Sequence, residues 1–218
     1  MHEPAACPAA SLRLLRLNDH WRYRVAGTLT PPNSEARELT GEISVSIAED
    51  RLLHRAEYMS IVFSQRFEVT EADSSRRPLP APEWMFSFVQ EQSSGDLSIV
   101  ADNMTRNGTP RTAKMPQVFY PGRWSLKTAY DNRLEFDNGE SVHNVLSVFK
   151  QEQVETEAGL YPSWVARITS NSAATGLIEG MDWWTPELGA PAKFATSSSM
   201  PDGSQMRFVA TLISSSIR

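Results

Sequence analysis

The sequence predicts an all-β protein: a single curled antiparallel sheet, or half-barrel, of about ten to twelve strands with little helix. Three observations predict it. Apolar and polar residues alternate in short runs along most of the 218 residues, the period of a half-buried strand. No window of about 11 residues carries an i, i+3, i+4, i+7 apolar stripe. Clusters of Gly, Pro, Asn, Asp and Ser separate the alternating runs at short intervals, as turns do in antiparallel sheets.

Residues 1–17 are set apart as an N-terminal tail, and residues 18–218 form one antiparallel β domain. Trp21-Arg22-Tyr23-Arg24-Val25 alternates strictly and opens the domain. Leu39, Ile43, Val45 and Ile47 share one face of the next run, and Leu52 to Phe63 continues the pattern less regularly. Ser74 to Pro82 holds three prolines in five residues, which marks a long surface loop rather than a domain linker, because neither flank changes period. Trp84 to Val89 is a strand, turned by Ser93-Ser94-Gly95-Asp96 into Leu97 to Val100. Asn107-Gly108 and the stretch Pro116 to Gly122 are expected to break the chain between Val100 and Trp124. Trp124 to Tyr130 and Val142 to Phe149 flank Asp137-Asn138-Gly139-Glu140, whose Asn-Gly supplies the positive φ of a tight hairpin. The last third predicts four short strands, at Trp164 to Thr169, Gly176 to Trp184, Ala192 to Thr196 and Met206 to Ile213, the final pair joined at Pro201-Asp202-Gly203-Ser204.

Composition narrows the functional classes. A net charge of −5 with dispersed arginines argues against binding nucleic acid through its phosphates. No apolar run approaches the ~18 residues that span a bilayer, so no transmembrane segment is expected. One cysteine, Cys7, excludes an internal disulfide, and the fold must hold by packing. Pro4-Ala5-Ala6 supplies the small residues that precede a lipidated cysteine, but no apolar stretch lies upstream and no signal peptide is visible.

No catalytic residue, metal ligand or cofactor motif emerges. The four histidines, His2, His20, His54 and His143, have no metal-ligand spacing, and structural roles are expected for His54 and His143 on candidate strands. No serine stands in Gly-x-Ser-x-Gly. Glu155 and Glu157 share a strand face, which suits a solvated strand end more than an acid–base pair, and the oxygen-rich Asp131-Asn132 and Asp137 to Glu140 do not match a calcium loop. Aromatic side chains are the remaining candidates. Trp183 and Trp184 are adjacent, so on a strand their rings point to opposite faces. Trp84, Phe86 and Phe88 share one face, and with Tyr23, Trp124 and Tyr130 they give enough aromatic area for either a core or an apolar pocket. These seven, Trp84, Phe86, Phe88, Trp124, Tyr130, Trp183 and Trp184, are the expected lining of an apolar ligand site.

Two turn segments carry a family likeness. Glu152, Val154, Thr156, Ala158, Gly159 and Tyr161 resemble a Val-x-Thr-Pro-Ala-Gly-Thr-Phe turn, and Trp183, Trp184, Pro186, Leu188 and Gly189 resemble a strand ending in Trp-x-Ala-Pro-Gly-x-Gly. Both motifs occur in a group of bacterial exported β-proteins of unknown function, distantly similar to the half-barrels of lipoprotein carriers. Glu157 stands where that group usually has Pro, and Leu160 replaces Thr. The resemblance covers mainly residues 140–213 and implies a curled sheet and a periplasmic or cell-envelope location, with a cytoplasmic one as the alternative.

The expected function is a non-catalytic envelope protein whose concave sheet face binds an apolar ligand such as an acyl chain. The alternatives are a structural module that docks an envelope protein through strand edges or loops, and a hydrolase with a dispersed site.

Overall fold

The structure is a computed structural model that describes residues 9–80, 83–105, 107–173 and 175–217. Cys7 and His2 lie outside the described residues. All regular structure there is β: β1 (Ala10–Ser11), β2 (His20–Thr30), β3 (Arg37–Glu49), β4 (Met59–Thr70), β5 (Arg76–Leu79), β6 (Trp84–Gln90), β7 (Leu97–Asp102), β8 (Arg111–Tyr120), β9 (Arg123–Trp124), β10 (Ala129–Glu135), β11 (Ser141–Thr156), β12 (Gly159–Ser172), β13 (Gly176–Thr185), β14 (Ala190–Ser199) and β15 (Gln205–Ser215).

Thirteen strands form one antiparallel sheet in the order β10-β11-β12-β13-β14-β15-β2-β3-β4-β6-β7-β8, with β5 on the free end of β4. The order is circular in sequence, since the first strand after the N-terminal segment pairs with the last. The sheet curls until β8 and β10 meet, and it is nearly closed into a barrel. One backbone bridge, Ala113 to Phe136, joins the two edges. Where the backbones part, side chains span the seam: Tyr130 donates to the carbonyl of Phe119, and Asn132 Nδ2 donates to the carbonyl of Val118 at 2.7 Å.

The alternation seen in the sequence sets which face is core. Trp21, Tyr23 and Val25 point inward against Ile43, Val45, Phe67, Ala210 and Leu212, while Arg22 and Arg24 between them face solvent. Gly41 allows the close approach behind this core, because a Cβ there would meet the carbonyl oxygen of Arg66 at 2.1 Å. The N-terminal segment stoppers one end of the barrel. Leu12 N–H donates to Gly122 O at 2.7 Å, Arg13 N–H to Pro186 O at 3.0 Å, and Gln90 bridges Leu15 N–H and Arg13 O. Leu12 and Leu15 are buried by it, and each contributes roughly 1.5–3 kcal/mol of burial.

Several local expectations change. β8 continues past Pro116, where the sequence suggested a break, but its pairing with β7 is interrupted there: Ala101 pairs with Thr112 and Ile99 with Gln117, leaving residues 113–116 without β7 partners, so the missing donor of Pro116 costs no ladder bond. The run Trp124 to Tyr130 is divided by a turn at Ser125–Thr128 into β9 and β10. His54 is not on a strand but in an exposed loop at φ 55°. Part of the proline-rich loop forms β5. β11 and β12 run on beyond the residues paired with β10 and β13, with a register slip between Val148 and Lys150, and their hairpin lies over the outer face of the sheet, where Glu157 pairs with Arg24 of β2. The hairpin's Val154 and Tyr161 pack against Trp183 and Ala192 on the outer wall.

Candidate functional site

Asp182 sits midway along β13, paired with Ala166 of β12 on one side and Phe194 of β14 on the other. Pleating places its side chain on the face of Trp184, two residues on, and therefore inside the barrel. Asp182 is half-buried, as are Phe194, Tyr120 and Tyr130 near it. Inward-facing side chains that keep accessible surface, Phe63, Phe86, Phe194 and Phe208 among them, leave the inside of the sheet incompletely filled. Among the described residues Asp182 has no hydrogen bond and no ion pair, and burial pushes its pKa up to about 7.

Three tyrosines lie within electrostatic reach of it: Tyr23 of β2, Tyr120 of β8 and Tyr130 of β10. Burial raises the pKa of each phenol, and the charge of Asp182 raises it further. Tyr23 donates to Pro191 O at 2.9 Å, and Tyr130 to Phe119 O across the seam. The Tyr120 hydroxyl makes no hydrogen bond among the described residues, and its ring is half-buried.

The rings line the wall in two arms. One runs Phe63, Phe86, Phe119, Tyr120, Trp184, Trp124, with successive centroids 5.8, 6.1, 4.7, 4.2 and 5.2 Å apart. The other runs Tyr23, Phe194, Phe208, Phe67 at 5.2, 6.1 and 6.0 Å. Asp182 lies where the arms come together, beside Phe194 in one and Trp184 in the other.

The fold brings four of the seven sequence candidates to this wall: Phe86, Trp124, Tyr130 and Trp184. Phe86 and Tyr130 remain half-buried, whereas Trp124 and Trp184 stack face to face at 5° with 0% and 4% exposure. Their indole N–H groups, like that of Trp21, are buried without a partner. Phe88 is fully buried in the main core, and Trp84 is half-buried opposite Phe63 near the other end of the barrel. Trp183 lies on the outside, under the β11–β12 hairpin, where its Nε1–H donates to Glu152 and the Lys193 ammonium stands 4.7 Å over its ring. Both members of the Trp pair are thus buried, one on each side of the wall.

Asp182, Tyr120, Phe119 and Phe194 were not among the sequence candidates. The signal for Asp182 was its two-residue spacing from Trp184, but nothing local shows that this face is enclosed.

The fully buried carboxylates, Asp19, Asp50 and Asp102, are committed elsewhere, Asp19 to Arg13. Asp102 receives two hydrogen bonds from Arg111, at 2.7 and 3.1 Å, and Arg111 also reaches Glu140 at 2.6 Å while lying 3.8 Å over the Phe136 ring. Asp50 accepts from the backbone N–H groups of Leu52, Leu53 and Arg55 and from Ser87, organising a loop. His143 contacts Asp131 at 2.6 Å on the surface. Two depressions occur on the outside. One of about 500 Å³ lies between Tyr161, Leu188 and Ile217, and one of about 620 Å³ lies on the outer face of β13, β14, β15 and β2. Neither is lined by Asp182. Among the described residues no group of three or more His, Cys, Asp or Glu is placed to hold a metal ion.

No family model matches the chain, and no curated protein matches it. Two solved structures are similar. One is a protein of Bacteroides fragilis described as exported, with a YmcC-like fold, at 10% identity and TM-score 0.40, over 94% of this chain and 99% of that one. The other is a protein of Parabacteroides distasonis described as a lipoprotein, at 9% identity and TM-score 0.37, over 92% and 95%. Similarity at this level implies neither a shared activity nor a shared ligand.

Proposed function

We propose that this protein is a non-catalytic component of a bacterial cell envelope that holds an apolar ligand, such as an acyl chain, inside the barrel. The observation that carries this reading is the wall of half-buried rings, Phe63, Phe86, Phe119, Tyr120, Tyr130 and Phe194, facing inward around a carboxyl group that keeps accessible surface. A core filled by its own side chains would hide those rings. Sites for small apolar molecules are concave, mostly apolar and marked by a few polar groups, and the mouths of β-barrels are a common place for them. The envelope location rests on the likeness of the two turn motifs to exported β-proteins.

The test is binding to delipidated protein. A panel of fatty acids and phospholipids is expected to contain members that raise the melting temperature by about 5–10 °C at a hundredfold excess over Kd. The same members should change Trp emission, because Tyr120 borders the internal space and stacks on Trp184. A panel that moves neither signal would overturn the ligand reading and leave a scaffold that docks a protein partner.

A further inference from the structure

Within the reading of the barrel as a ligand holder, we propose that its internal site selects an organic cation, an ammonium group carried on an apolar chain, seated against Asp182. Three features support this choice of charge. Among the described residues Asp182 has no hydrogen-bond or ion-pair partner, and the cations that are not exposed are already used: Arg111 by Asp102 and Glu140, Arg13 by Asp19 at 2.7 Å, Arg37 by Glu71, and Lys193 by the outer face of Trp183. An enclosed carboxylate without a counter-charge is costly, and the cost falls when a cation arrives with the ligand. The nearby side chains that keep accessible surface are aromatic: Phe194, the cross-strand partner of Asp182, and Tyr120 and Tyr130, all half-buried. Aromatic faces carry negative potential and attract ammonium groups, more strongly where water is excluded.

The same surroundings disfavour an anionic head group. A fatty-acid carboxylate placed here would meet both the Asp182 charge and the ring faces. Tyr120 adds a free hydroxyl, which can donate to Asp182 or to a ligand oxygen and does not change the sign of the site. The groups that face Asp182 from the packed strands are Tyr23, Tyr120 and Tyr130, none of which ionises near neutrality.

The experiment compares four ligands of one chain length, dodecyltrimethylammonium, dodecylamine, dodecanol and dodecanoate. Each is used below its micellar concentration with the full chain and read by calorimetry and native mass spectrometry. At pH 8 the two cations should bind at least about tenfold more tightly than dodecanol, a difference of about 1.4 kcal/mol, with dodecanoate weakest. Asp182→Asn should remove the preference while leaving dodecanol affinity within about twofold. A measurement on the unaltered protein supports the variant: the preference for dodecyltrimethylammonium, whose charge is fixed, should collapse between pH 8 and pH 5 as Asp182 takes up its proton. Equal binding of all four ligands, or a preference that survives in Asp182→Asn or at pH 5, would overturn the cation assignment and leave the ligand-holding barrel intact. Binding of none of the four would overturn both.

Discussion

Asp102 on β7 and Asp182 on β13 are both enclosed carboxylates of one barrel, and their surroundings differ in every polar respect. Asp102 takes a two-pronged hydrogen bond from Arg111, which is 1% exposed and clamped between Asp102, Glu140 and the ring of Phe136. Asp182 takes no hydrogen bond or ion pair from the described residues. Burial raises the pKa of both, but at Asp102 the hydrogen bonds and charge of Arg111 oppose it, and at Asp182 nothing does. Paired, a buried carboxylate fixes the geometry of a strand end beside the seam. Left unpaired, it is a cost to the fold that a ligand can offset.

The comparison is broken most severely by removing the Arg. Arg111→Met should cost about 3–5 kcal/mol at neutral pH, because Asp102 is left buried and uncompensated. Urea unfolding measures it, and a loss under about 1 kcal/mol would show that Asp102 is as free as Asp182. The loss should shrink in acid, where Asp102 carries a proton without help.

Asp182→Asn should have the opposite sign. The folded-state pKa of about 7 lies above the ordinary 3.8, so the native state binds the extra proton and the wild type loses stability as pH rises from about 4 to about 7. The variant lacks that slope. It should match wild type near pH 4 and exceed it above pH 7 by on the order of 2–4 kcal/mol. Thermal unfolding across that range checks it, and equal stability at pH 8 would mean that Asp182 has a partner after all.

The smallest effect is expected at the seam that completes the enclosure. Tyr130→Phe removes the hydrogen bond to Phe119 O and should cost about 0.5–1.5 kcal/mol. Hydrogen exchange should then quicken at Asp137, whose N–H reaches across to Thr112 O at 2.9 Å. If exchange there is unchanged, the two edges are held by backbone and packing alone.

Much of the sheet was legible locally. The alternation of Trp21 to Val25 identified a strand and its buried face, and Asp137-Asn138-Gly139 identified a hairpin whose glycine takes φ 84°. The opposed rings of Trp183 and Trp184 are a consequence of pleating. Other features were hidden because their causes are not local. Pro116 signals a break unless its strand is known to be an edge, and the register slip after Val148 leaves no mark in the residue types. Of the aromatic candidates, Phe88 went to the core and Trp183 to the outer wall, a division made by where neighbouring strands and the β11–β12 hairpin pack.

Local patterns in the chain were enough to define the strands, most of their turns and the sense in which each side chain points, since these depend on residues two apart and on turn chemistry. Folding of the whole sheet was needed to bring Tyr23, Tyr120, Tyr130 and Asp182 around one enclosed space. They come from four strands spread between residues 23 and 182, and they meet because a sheet that curls until β8 reaches β10 turns a common face into an interior. Closure of that kind belongs to the whole sheet, and no single segment encodes it.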